Sequence, residues 1–215
     1  MGIRTAAVIV GVLLASASGL AQALPAPTSM MSFFLTSKGR GLGGNLGGIR
    51  GADALCRQLA DTVGMGQRTW RAYLSAPATS DQPAVDARDR IGRGPWFNAR
   101  GVMIAAGITE LHEGPNELGS TNTLTEKGTM VAPGRHDVLT GSNPDGTLAS
   151  NRGGDTTCNG WTSLSTGRAM LGHHNRTGGG ERPTSWNSAH LSRGCSQSEL
   201  RASFGDGLIY CFAAD

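Results

Sequence analysis

The chain has 215 residues, of which 16% are charged, and a formal net charge of +3. That length suits one well-formed core and is short for two, and so small a net charge argues against a nucleic-acid partner, whose phosphates need many cations. Glycine numbers 33, far above an ordinary share of about 7%, so much of the chain belongs to turns and loops.

The first residues have the three-part layout of an export signal: Arg4, an apolar stretch over residues 6–15, and the small-residue ending Ala21-Gln22-Ala23. Residues 1–23 are read as a signal peptide, 24–30 as a short linker and 31–215 as the domain. The apolar stretch falls short of the roughly 20 residues of a spanning helix. The expected protein is therefore secreted or periplasmic, and peripheral to a membrane at most. Export takes Cys56, Cys158, Cys195 and Cys211 to a compartment where disulfides persist. Two bridges are expected; four cysteines allow three pairings that spacing does not separate. No pair has the Cys-x-x-Cys spacing of a zinc or redox site.

Residues 31–36, with Phe33, Phe34 and Leu35, read as a first strand, followed by a glycine-laden turn over 39–48. Ala52, Leu55, Leu59 and Val63 then recur at helical spacing, Cys56 and Ala60 widen the stripe, and Gly64 supplies a stop. Residues 70–75 alternate, with Trp70, Ala72 and Leu74 on one face and Arg71, Tyr73 and Ser75 on the other, which predicts a half-buried strand. A short helix is expected over 86–92 and a short strand over 101–105. From 113 to 180 the chain is dominated by Gly, Asn, Thr, Asp and Pro, a long polar loop region with at most brief strands. Order returns at 169–171, at 184–187, and in 207–213, where Leu208, Tyr210 and Phe212 alternate with Ile209, Cys211 and Ala213. A bridge from Cys56 to Cys211 would tie the two ends of the domain together.

Several segments in this order resemble the C-type-lectin-like domains, in particular the endostatin-like branch, and also a group of small secreted bacterial lectin-like proteins. They are Gly48-Ile49-Arg50-Gly51-Ala52-Asp53 before Cys56, Trp70-Arg71-Ala72-Tyr73-Leu74-Ser75, Gly141-Ser142-Asn143-Pro144-Asp145-Gly146 before Cys158, and the run ending at Cys211. The resemblance spans residues 31–213. It implies a small α+β fold with the terminal strands side by side and a long loop region that carries the ligand site. It also implies a nested pairing of cysteines, first with last and second with third: Cys56 with Cys211 and Cys158 with Cys195.

Calcium-dependent members of that family bind sugar through oxygen-bearing triplets, which Asn143-Pro144-Asp145 and Trp186-Asn187-Ser188 resemble. The resemblance makes Asn143, Asp145 and Asn187 the candidate calcium ligands, with Asn151, Asp155 and Glu181 as further oxygen donors. Asn-Pro-Asp-Gly is also an ordinary turn sequence. His173, His174 and His190 flank the same region, and with Trp161 and Trp186 they are candidates to line a pocket where aromatic faces stack on sugar rings. Adjacent His173 and His174 point to opposite faces if they lie on a strand. No histidine precedes His112, so the N-terminal zinc site of endostatin does not carry over.

Gly39-Arg40-Gly41-Leu42-Gly43-Gly44 matches a dinucleotide fingerprint, but the helix after it begins too late to meet a pyrophosphate. Neither a Gly-x-Ser-x-Gly elbow nor a His-Glu-x-x-His helix occurs. The expectation is a lectin-like binding module without catalysis, with a carbohydrate as ligand. The alternative is a protein-interaction or adhesin-like domain meeting a cell-surface or extracellular protein, with Arg88, Arg90, Arg93 and Arg100 as an anion-binding patch.

Overall fold

The computed structural model describes residues 1–2, 30–80, 82–150 and 153–215, so the expected signal and nearly all of the linker lie outside the described residues. In chain order the elements are β1 (Phe33–Leu35), α1 (Gly48–Asp61), β2 (Trp70–Ala72), α2 (Ala87–Arg90), β3 (Trp96–Phe97), β4 (Met103–Ala105) and α3 (Ile108–Glu113). They continue as β5 (Asp137–Leu139), α4 (Cys158–Trp161), β6 (Met170–His173), β7 (His190–Leu191), α5 (Gln197–Ala202) and β8 (Gly205–Ala213). The domain is thus mixed α and β with two disulfides, Cys56–Cys211 and Cys158–Cys195.

β8 is the axis of the sheet. Leu208, Tyr210 and Phe212 turn to one face, and Ile209, Cys211 and Ala213 to the other, so the alternation legible in the sequence is the one the strand uses. Both faces bury it, and each large apolar side chain so buried contributes about 1.5–3 kcal/mol. β1 and β2 pair with it antiparallel, and β5 pairs with it parallel. The sheet runs β1-β8-β5-β6-β7, with β2 also on β8, while β3 and β4 form a separate ribbon.

Under α1 one apolar layer gathers Phe34, Trp70, Leu74, Trp161 and Ile209, with both bridges inside it. On the opposite face Phe33, Tyr73, Trp96, Trp186, Tyr210 and Phe212 form a second, aromatic layer. α1 buries Ala52, Leu55, Cys56, Leu59 and Ala60 as its periodicity predicts. It ends just before the last residue of the stripe: Thr62 and Gly64 donate back to Leu59 and Asp61, Gly64 takes a left-handed φ of 75°, and Val63 is left exposed.

The polar stretch 113–180 holds only brief strands, as expected: β6 takes up the order read at 169–171, β5 is a strand not read from the residues, and every residue of both is buried. One expectation changes. Residues 184–187 are turn rather than strand; the strand there is β7, a few residues later. Asp137, His173 and Asn187 are buried polar residues in these segments, which blurs the hydropathic period there. Among the described residues no helix is long and apolar enough to cross a membrane.

Cys158 and Cys195, separated by 37 residues, tie α4 to the segment before α5. In the chain-entropy model a loop of that length is worth about 4 kcal/mol. The double variant Cys158→Ala, Cys195→Ala should lose about that much in denaturant unfolding, and retention of full stability would show that the bridge is incidental.

Candidate metal centre

Register builds the centre. Asp137, the first residue of β5, pairs with His173 at the end of β6, and Leu171 of the same strand pairs with His190 of β7. Cross-strand partners and i, i+2 neighbours share a face. Asp137, His173 and His190 therefore project together from one end of the sheet, with His136 joining from just before β5. His136 Nε2 lies 3.1 Å from Asp137 Oδ1, His173 Nε2 3.3 Å and His190 Nε2 3.6 Å.

These approaches are close, but none is an aligned hydrogen bond. The Asp137 side chain is fully buried, and among the described residues neither of its oxygens nor His173 Nε2 has a hydrogen-bond partner. The far sides of two rings are committed. His173 Nδ1 meets the Pro183 carbonyl at 2.8 Å, and His190 Nδ1 meets that of Leu191 at 3.0 Å. A carbonyl only accepts, so each Nδ1 carries the proton, and a neutral ring turns its Nε2 lone pair toward the carboxylate. Lone pairs facing a buried carboxylate repel it unless a proton or a metal cation lies between them.

Burial raises the Asp137 carboxyl, but the imidazoles of His173 and His190 outweigh it and hold the group below the usual carboxylate range. The Asp137 carboxylate in turn raises His190, against the effect of burial. Burial lowers His136 despite the same neighbour.

The ligand atoms of His136, Asp137 and His173 all lie within 4.8 Å of one another. Tetrahedral zinc with bonds near 2.0–2.2 Å places its ligands about 3.3 Å apart, close to the separations from Asp137. Imidazole nitrogens oriented by carbonyl acceptors are a usual setting for such an ion.

Chain entry into this space requires glycine. A β-carbon on Gly178 would sit 2.8 Å from His173 Cε1 and 2.9 Å from His136 Cε1, and one on Gly180 2.9 Å from His190. The backbone thus passes directly over the three rings. Beside it His136 and His190 open into a hollow of about 410 Å³, shared with Arg193 and Phe204.

Of the residues singled out from sequence, His173 and His190 belong to this centre. His174 does not: its Nε2 faces the Arg135 carbonyl at 3.1 Å, and burial lowers it to about 4. Trp161 is core, its indole N–H donating to the Ser75 carbonyl at 2.8 Å. Trp186 is 3% exposed, packed on Tyr73 and Tyr210.

Asn143, Asp145 and Asn187 do come together, but as a hydrogen-bonded turn. Asn187 Nδ2 donates to Tyr73 Oη, to the Asn143 carbonyl (3.1 Å) and to the Pro144 carbonyl (3.0 Å). Those carbonyls fix which end of the amide faces them, and it is the donor end. Asn143 Nδ2 donates to Thr147 and Leu148, and Asp145 Oδ1 accepts from the amide and hydroxyl of Thr147. The arrangement gives calcium no support. Asp155 is engaged by Thr157 and Asn159, and Asn151 lies outside the described residues. Three of the four arginines considered as a patch are tied to local partners: Arg88 to the Asp145 carbonyl, Arg90 to Asp53, and Arg100 to the Gly128 carbonyl.

Sequence reasoning missed His136 and Asp137. They stand in the polar stretch, where the only signal is a His-Asp pair leading into Val138 and Leu139. No protein-family model matches the chain, and no curated protein matches it. Fold and site together define a mixed α/β, disulfide-bridged domain with a histidine–aspartate centre at the end of its sheet.

Gly178→Ala should weaken metal uptake without unfolding the domain, because the added methyl meets two ring edges; metal titration alongside circular dichroism checks it. A second expectation concerns pH. Burial lowers His112, whose Nε2 accepts from Tyr73 Oη while Nδ1 faces the Ile108 carbonyl. The unfolded imidazole, with its ordinary value of about 6.5, takes the proton first as pH falls. The contribution is complete above that value and declines on acidification. His112→Gln in chelator-treated protein should therefore show a shallower loss of stability between about pH 7 and about pH 5.

Proposed function

We propose that the protein is an exported, lectin-like binding module whose ligand site is built on a transition-metal ion, zinc foremost, held by His136, Asp137 and His173. The observation that carries this reading is the buried, hydrogen-bond-free Asp137 carboxylate faced by imidazole nitrogens at 3.1 and 3.3 Å. Nitrogen and carboxylate donors in a compact set suit zinc, whereas calcium asks for six to eight oxygens. The lectin-like part of the reading is supported by the bridges Cys56–Cys211 and Cys158–Cys195 and by β1 lying beside β8. The bridges and the absence of a spanning helix among the described residues accord with an extracytoplasmic site of action.

The carbohydrate expectation keeps a second foothold. A polar cleft of about 500 Å³ runs past His112, Asn116, Arg176 and Arg182, a polar wall that would suit glycan hydroxyls. The partner under this reading is a glycan or, in the alternative, a cell-surface or extracellular protein.

Chelator-stripped protein should take up one zinc ion, measured by calorimetry. At a hundredfold excess over Kd the ion adds about 2.7 kcal/mol, read as a rise of several degrees in Tm. His173→Ala should abolish that rise. Asp137→Asn should also abolish it, with circular dichroism checking that the metal-free variant is folded. Zinc binding that survives both substitutions would sink the proposal.

A further inference from the structure

The surroundings of the centre say what it meets. Tetrahedral zinc with three protein ligands keeps its fourth position for an exogenous group. His190 stands outside the mutually close set of His136, Asp137 and His173 and approaches it through the carboxylate, at 3.6 Å. Its ring, like that of His136, forms wall for the hollow, so the hollow borders the centre at these two imidazoles.

Two further side chains in that wall stand out. Phe204 is 58% exposed and holds a φ of 62°, a left-handed conformation that an aromatic residue adopts only under constraint. Its carbonyl accepts from the Asp137 amide at 3.1 Å, and its ring lies 5.5 Å from that of His136, so the backbone that registers the carboxylate also sets this ring. Neither burial nor local propensity accounts for an exposed phenyl there. The second is Arg193, exposed at the rim and without an ion pair among the described residues. The nearby acid Asp206, by contrast, is taken up by Arg201 at 2.7 Å and Arg135 at 3.6 Å. The rim therefore offers a guanidinium and an apolar ring face beside the His136 and His190 imidazoles, within one hollow of about 410 Å³, in the size range of small-molecule sites.

We infer that this centre is an open one, and that its hollow takes a carboxylate-bearing ring ligand. The carboxylate would bind at the metal's fourth position and pair with Arg193, while the apolar face of the ring lies on Phe204. The inference rests on the metal reading above. A guanidinium fork matches a carboxylate, an aromatic face takes the apolar side of a sugar or an aryl ring, and Gly178 to Gly180 form wall of the same hollow. Two sources share this chemistry, an acidic sugar and an aromatic acid.

Cobalt(II) in place of zinc makes the coordination visible as d–d absorption, without any assay of activity. The full chain, loaded with cobalt, is titrated with glucuronate, benzoate and glucose. A saturable change with glucuronate or benzoate and none with glucose supports the inference; the more tightly bound of the two acids identifies the source. Arg193→Gln should weaken the responding acid about tenfold, the loss expected for one charge-assisted hydrogen bond, without altering cobalt uptake. Phe204→Ala should weaken it as well, again with cobalt uptake unchanged. If cobalt binds but its spectrum ignores both acids, the open centre is overturned while the metal reading stands. Failure of cobalt itself to bind overturns both.

Discussion

The structure depends on β8 and its covalent tie to α1. That strand makes antiparallel pairs with β1 and β2 and a parallel pair with β5, and the Cys56–Cys211 bridge holds it against the first helix. Parallel pairing has no tight turn to set its register. Here the pairing runs along the first half of β8: Gly205 lies opposite Asp137, and Leu208 and Ile209 opposite Val138 and Leu139. A β-carbon at Gly205 would lie 3.3 Å from Asp137 Cβ, so glycine lets the two backbones close just where the carboxylate is placed. The centre is thus a consequence of how β8 seats a short strand from a glycine-rich stretch.

Burying a carboxylate without hydrogen bonds costs several kcal/mol, and most folds avoid it. Elsewhere this molecule does so. Tyr73 Oη donates to His112 and accepts from Asn187, whose amide reaches two carbonyls, and the buried Trp indoles find backbone oxygens. Among the described residues, the buried side-chain polar atoms without partners belong to Asp137, His173 and His174, three residues at one end of one sheet. Concentrating the deficit in one place, under rings oriented by Pro183 and Leu191, is what a cation site looks like before its ion is considered.

Much of the scaffold was legible in the residues because apolar burial has a period. The stripe of α1, the alternation of residues 70–75 and that of β8 each follow from side chains that must leave water on one face. The centre was legible only in part. His173 and His190 drew notice as histidines near a loop region, but nothing in their spacing joins them to Asp137, 36 and 53 positions earlier. Asn143, Asp145 and Asn187 show the converse: residues with the right oxygens do meet, yet hydrogen bonds to carbonyls and to Thr147 consume them.

The sequence by itself determined which segments bury an apolar face and that four cysteines were available to bridge, since these follow from residue type and local period. Only the tertiary structure decided that β5, β6 and β7 lie side by side in a register that brings three imidazoles around one carboxylate. The physical reason is that polar residues turned inward have no hydropathic signature; their partners are chosen by strand pairing, which is non-local.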